Sequence, residues 1–169
     1  MSGKNLKIKG IKMEAIKPIK RDKKMQPLSR DHHHSLLLSW KIRQGMSKGI
    51  ALERIKTYCD WFFEKYAEPH FCLEEKYLFP VLGEDHKLIK KALADHRRLR
   101  RLFTMNTDLE RTLSLLEEEL EAHIRFEERV LFNIIQEAAT EEQLDKISTV
   151  HNDEIFEENT EDEFWKIRK

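Results

Sequence analysis

Glycine and proline are scarce in this sequence, five and four residues among 169, which argues against the turn-rich chains of β-sandwiches and barrels. Cysteine is scarcer. Cys59 and Cys72 stand 13 apart without CxxC spacing, so neither a disulfide framework nor a cysteine zinc site is signalled, and a reducing cytoplasm is the expected compartment. Net charge is also missing: 31 Lys and Arg balance 31 Asp and Glu, so nothing calls for a nucleic-acid partner. Apolar runs stay short, as at Leu36-Leu37-Leu38, far below the roughly 20 residues that cross a bilayer, and no membrane partner is expected. There is no nucleophile motif, phosphate-binding glycine loop or nucleotide fingerprint.

What the chain does have is charge, 37% of residues, and enough apolar content, 40%, for one core. Residues 1–26 read as a basic amino-terminal arm, since nine Lys and Arg fall within the first 24 without an apolar segment of secretory type. Residues 27–156 read as one all-α domain, and 157–169 as a carboxy-terminal tail. Breakers at Gly45 and Gly49, at Pro80, Gly83 and Asp85, and at Asn106 to Asp108 divide the domain into helices expected at 28–44, 51–82, 86–104 and 108–138. Thr107 and Glu110 suggest a capping box for the fourth, and Thr140 with Gln143 one for a short fifth helix. Pro69 falls inside the second helix, where it costs a hydrogen bond and is expected to kink the helix just before His70. The fold class is therefore an antiparallel four-helix up-down bundle with a short fifth helix.

Polar residues occupy the expected core seams. The fourth helix steps through Leu109, Leu113, Leu116, Leu120, His123, Glu127, Val130 and Ile134; the second through Cys59, Phe63, Tyr66, His70, Glu74, Tyr77 and Val81; the third through Ile89, Ala92, His96, Leu99 and Phe103. Buried histidine and glutamate must find partners or bear a desolvation cost of several kcal/mol. The segments starting at His70 (HFCLEEKYLFPVL) and at His123 (HIRFEERVLFNII) agree at five of thirteen positions, and each is preceded by an Asp-His pair, Asp31-His32 and Asp95-His96. The chain thus reads as a twofold repeat of a helix pair, one helix supplying Asp-His and the other His-xxx-Glu. Residues four apart share a helix face, so each His-xxx-Glu aims an imidazole and a carboxylate at one point.

Midpoints between the paired residues fall near 52 and 84, close to two expected turns, and near 110, about three residues past the third. The donors can therefore meet at one level of the bundle. Four imidazoles with two carboxylates suit borderline divalent metals rather than magnesium or calcium, and two carboxylates able to bridge favour two metals over one. The Glu-x-x-His pattern of ferritin-like sites and HExxH are both absent.

On these motifs, residues 27–135 resemble a hemerythrin-like, or HHE cation-binding, domain. The resemblance implies a four-helix bundle around a non-haem di-iron site with metal ligands His32, His70, Glu74, His96, His123 and Glu127, the two glutamates bridging. Manganese or zinc are alternatives to iron. It also implies dioxygen or another small diatomic ligand at the metals, in iron or oxygen handling or sensing. The alternatives are a di-iron enzyme acting on peroxide or nitric oxide, and an iron-stabilised regulatory interaction module. Oxygen-carrying members place a further histidine four residues after the third-helix ligand, where this chain has Arg100; His33, His34, His86 and His151 are the available substitutes. His33 is also the alternative to His32. Glu75 and Glu128 read as surface or ion-paired residues, and Tyr66 and Tyr77 as hydroxyls near enough to meet a bound oxygen species.

Overall fold

The computed structural model of the chain describes residues 19–151 and 154–166, so most of the expected basic arm and the last three residues of the expected tail lie outside the described residues. The regular structure of the described residues is all helical, with no strand among them. Helix α1 spans Gln26–Ser47. Helix α2 is one continuous helical stretch over 52–81, α3 spans Lys87–Thr104, α4 runs over 109–138 and α5 spans Glu141–Val150. Among the described residues no helix is long and apolar enough to cross a membrane.

The turns follow the breakers. Gly49 and Gly83 adopt φ of +67° and +87°, conformations that cost glycine nothing. Thr140 and Gln143 form the reciprocal capping box expected for α5. Thr107 and Glu110 do not form theirs. Asp108 takes the left-handed conformation at φ 46° and occupies the cap position itself, while Thr107 offers its carbonyl to Thr112 Oγ1 at 2.9 Å.

Both long helices that carry His-xxx-Glu contain π-helical turns. In α2 these are Phe63–Ala67 and Glu74–Leu78, the first ending two residues before Pro69 and the second two before Pro80. In α4 the turn is Glu127–Leu131. The carbonyls of Glu74 and Glu127 thus accept from the N–H groups of Phe79 and Phe132, five residues on. Each π-turn holds one residue more than the α-helical pattern allows, so the buried face moves by one position. Val130 is 40% exposed whereas Leu131 is fully buried, and Leu78, Phe79, Phe132 and Ile135 line the interior in place of Tyr77, Val81 and Ile134. Upstream, Phe62 and Ala67 are buried where Phe63 and Tyr66 were expected to be.

Interhelix contacts set the helices in register. Along α1, Ser29, His32 and Arg43 meet Glu128, Glu127 and Glu117 of α4 in turn. His32 and Lys41 meet His70 and Tyr58 of α2. Asp95 and Arg98 of α3 meet His123 and Glu119 of α4, and His96 and Arg100 meet Glu75 and Glu68 of α2.

The core divides into two apolar clusters. One gathers Leu38, Ile42, Phe62, Phe71, Leu99, Phe103 and Leu120. The other gathers Met25, Leu28, Leu78, Ala92, Leu131 and Ile147. On every long helix the seam His or Glu lies between residues of the first cluster and residues of the second. The segment set apart as a tail packs on the first cluster: Phe164 and Trp165 are buried, and Glu158 binds the Nζ of buried Lys41 at 2.5 Å.

Candidate metal centre

Between the clusters the structure brings together His32 from α1, His70 and Glu74 from α2, His96 from α3, and His123 and Glu127 from α4, all buried. They form two four-residue groups. His32, His70, Glu74 and Glu127 make the first; Glu74, His96, His123 and Glu127 make the second, and within each the ligand atoms lie within 4.8 Å of one another. The glutamates are common to both.

The oxygens are divided between the groups. Glu74 Oε1 lies 2.9 Å from His70 Nε2 and 3.3 Å from His32 Nε2, while its Oε2 lies 3.2 Å from His96 Nε2. Glu127 Oε2 lies 3.0 Å from His32 Nε2, while its Oε1 lies 3.1 Å from His123 Nε2 and 3.7 Å from His96 Nε2. Each carboxylate therefore turns one oxygen to each pair of imidazoles.

The outer nitrogen of every imidazole rests on a carboxylate. His32 Nδ1 meets Glu128 at 2.7 Å, His70 Nδ1 meets Asp31 at 2.9 Å, His96 Nδ1 meets Glu75 at 2.8 Å and His123 Nδ1 meets Asp95 at 3.2 Å. An ionised carboxylate only accepts, so Nδ1 carries the proton and Nε2 faces inward. Each of these acids directly adjoins a residue of the cage in sequence, yet none serves the ring next to it. The two aspartates steer histidines of the neighbouring helix in the same helix pair, and the two glutamates steer histidines of the other pair. Glu128 is further held by Arg21 at 3.1 Å, and Glu75 by Arg100 at 2.7 Å. Glu75 and Glu128 are thus ion-paired, as expected, but they also orient imidazoles, a role that spacing along one helix does not reveal.

Burial is the largest single influence on His32 and His96 and pulls both down. The carboxylates of Glu127, Glu128 and Glu74 around His32, and of Glu127, Glu74 and Glu75 around His96, outweigh it and hold both rings well above the usual imidazole value. For His70, burial is again opposed, here by the Glu74 charge and the Asp31 bond, and the ring settles at about 9. Glu74 and Glu127 move the other way. Burial raises each, and the surrounding histidines bring both below the ordinary carboxylate range.

The remaining histidines lie elsewhere. His86 Nδ1 caps α3 by accepting from Leu88 N–H at 3.2 Å. His151 Nε2 shares Asp31 Oδ2 with His70, at 2.8 Å, and so touches the support of the cage rather than the cage. His34 stacks on Phe156 with ring centroids 4.0 Å apart, and His33 lies beside it on the exposed side. The Tyr66 hydroxyl is taken by the backbone of Glu157, accepting from its N–H at 3.0 Å.

Several inward atoms, although in close contact with one another, make no hydrogen bond of good geometry: Glu74 Oε2, both carboxylate oxygens of Glu127, and Nε2 of His96 and His123. Buried polar atoms left in this way are costly, and their convergence is what a cation corrects. The donor set, imidazole nitrogens and carboxylate oxygens, is one that could hold metal ions. Phe132 stacks on His32 at 4.9 Å and Phe71 on His96 at 4.2 Å, keeping water from the rings.

No curated protein and no solved structure gave a significant match. A family model did, covering α1 to α3 and stopping short of His123 and Glu127, which the internal repeat and the geometry join to the cage: residues 26–105 match the model of the hemerythrin HHE cation binding domain.

Proposed function

We propose that the cage holds two divalent iron ions in an antiparallel four-helix bundle of the hemerythrin type and that the protein binds dioxygen or a related small ligand there. The partner residues fall in number along one helix as they rise along its neighbour, the pattern of an up-down bundle. His32 and His70 would hold one ion, His96 and His123 the other, and Glu74 and Glu127 would bridge. The observation that carries this reading is the division of each glutamate's oxygens between the two imidazole pairs. Observed separations of 2.9 and 3.0 Å between neighbouring donors also match the edge of an octahedron with bonds of about 2.1 Å.

Charge supports cation binding: two buried carboxylates face the four inward imidazole nitrogens, and a metal ion that enters takes the place of Nε2 protons. When bound, iron of this kind supplies open coordination positions and one-electron redox chemistry. The protein orients the imidazoles through Asp31, Glu75, Asp95 and Glu128 and excludes water with Phe71 and Phe132. Two free thiols suit a reducing compartment in which ferrous iron is available.

Anaerobic reconstitution with ferrous iron, a metal count per chain and optical spectra before and after oxygen test the reading. About two irons per chain with new charge-transfer bands on oxygenation is the expected result. Retained helical structure with no stoichiometric metal overturns it. Multiple turnovers of peroxide or nitric oxide would instead make the same centre an enzyme.

A further inference from the structure

On the outer side of His70, a cavity of about 670 Å³ lies between α1, α2 and the carboxy-terminal segment. Sites for small organic molecules span roughly 300–1,000 Å³. One wall is aromatic: Phe156 packs against Tyr66 at 4.7 Å and Phe62 at 6.3 Å between ring centroids.

The polar groups around this wall have capacity to spare. Nδ1 of His34 and Nδ1 of His151 are buried without hydrogen-bond partners, although both rings are fixed, one by its stack on Phe156 and the other by Asp31. Arg30 and Lys65 also line the cavity, and among the described residues neither is ion-paired with a carboxylate. Of the acids in the lining, Asp31 is committed to His70 and His151, and Glu154 lies exposed.

We propose that this cavity binds a small carboxylate with an apolar body. Arg30, Lys65 and Nδ1 of His34 take the head, and Phe62, Tyr66 and Phe156 take the body. The cavity meets the cage through one shared atom, because Asp31 Oδ2 receives His151 on one side and His70 on the other, at 2.8 and 2.9 Å. The cavity wall at His151 is thereby linked to the ring that faces Glu74. Binding stands on the cavity alone; only this coupling rests on the metal reading.

The test is calorimetric titration of benzoate into the full chain, with benzyl alcohol as the neutral counterpart. Saturable binding of one benzoate per chain is expected, about tenfold weaker for the alcohol and about tenfold weaker after Arg30→Ala, since the head makes charge-assisted bonds. Arg30 is exposed, so its removal leaves the core intact. A His34→Ala variant should weaken benzoate as well. Absence of binding at millimolar benzoate overturns the proposal, as does equal binding of the alcohol or affinity unmoved by both substitutions. Benzoate binding by a chain that takes up no metal supports the site and counts only against the metal reading.

Discussion

His32 Nδ1 on α1 donates to Glu128 on α4 at 2.7 Å, and this one bond decides which nitrogen of the ring faces Glu74 and Glu127. Asp31, Glu75 and Asp95 do the same for His70, His96 and His123, so all four rings enter the cage pre-oriented. Carboxylates behind metal-binding histidines fix the ring and raise its basicity.

Asp31→Asn and Asp95→Asn are therefore expected to weaken metal binding by about 10–100-fold while leaving the fold in place. Competition against a chelator of known affinity, with circular dichroism as the control, measures this. Unchanged affinity in both variants would show that the outer bonds do not tune the site.

Glu74→Gln and Glu127→Gln each remove the charge from a carboxylate shared by both groups. Metal content in either variant is expected to fall from about two per chain to about one or fewer, because a neutral amide is a poor bridge. Elemental analysis after gel filtration decides it, and two tightly held ions in both variants would refute bridging.

With metal removed by chelation, His70 protonates at about 9 in the folded chain against 6.5 for an unperturbed ring. A group raised on folding stabilises fully below its unfolded value and loses that contribution as pH climbs through the folded one. The chelated chain is thus expected to lose thermal stability between about pH 6.5 and 9. Metal uptake has the opposite sign, since Nε2 protons leave as metal enters: affinity rises with pH, and protons appear in the medium. Melting curves across pH, and uptake heats in buffers of different ionisation enthalpy, test the two halves.

Gly45 sits where a Cβ would stand 2.8 Å from Ile55 Cδ1 and 2.8 Å from Phe164 Cε2. Gly45→Ala is expected to cost about 1–3 kcal/mol in urea unfolding through overpacking against the carboxy-terminal segment. In a double-mutant cycle with Phe164→Ala the combined loss should be less than the sum of the two, because that change removes one of the two obstacles.

The thiols should separate by burial. Cys59 is fully enclosed and burial pushes it up to about 12, whereas Cys72 is exposed. Iodoacetamide is expected to label Cys72 alone in the native chain and Cys59 only after unfolding, as read by mass spectrometry.

Much of this was legible in residue spacing. The helix limits fall within a few residues of those expected, since glycine, proline and capping residues mark them locally, and the six cage residues lie together because each pair shares a helix face. What escaped were effects that cross helices or alter their period. An α-helical count places Val130 and Ile134 inward, but the π-turn at Glu127 hands those places to Leu131 and Ile135. Glu75 and Glu128 resemble surface charges on their own helices, and only the neighbouring helix gives them an imidazole to hold. Asp108 displaced the Thr107 cap through one left-handed residue. The burial of Phe164 and Trp165 depends on a long-range return of the chain that no local pattern announces.

The arrangement of supporting acids has a consequence for how the cage could be divided. Aspartates act within a helix pair and glutamates between pairs, so α1 with α2, and α3 with α4, each carry a full set of one half's histidines, one shared glutamate and the acid that reaches across. A chain severed in the turn around Gly83 would keep every donor, and building the site would become an association of two hairpins with the metals as mortar. On that reading the covalent link at that turn supplies local concentration rather than any donor, and the chain would behave as two similar hairpins held on one tether.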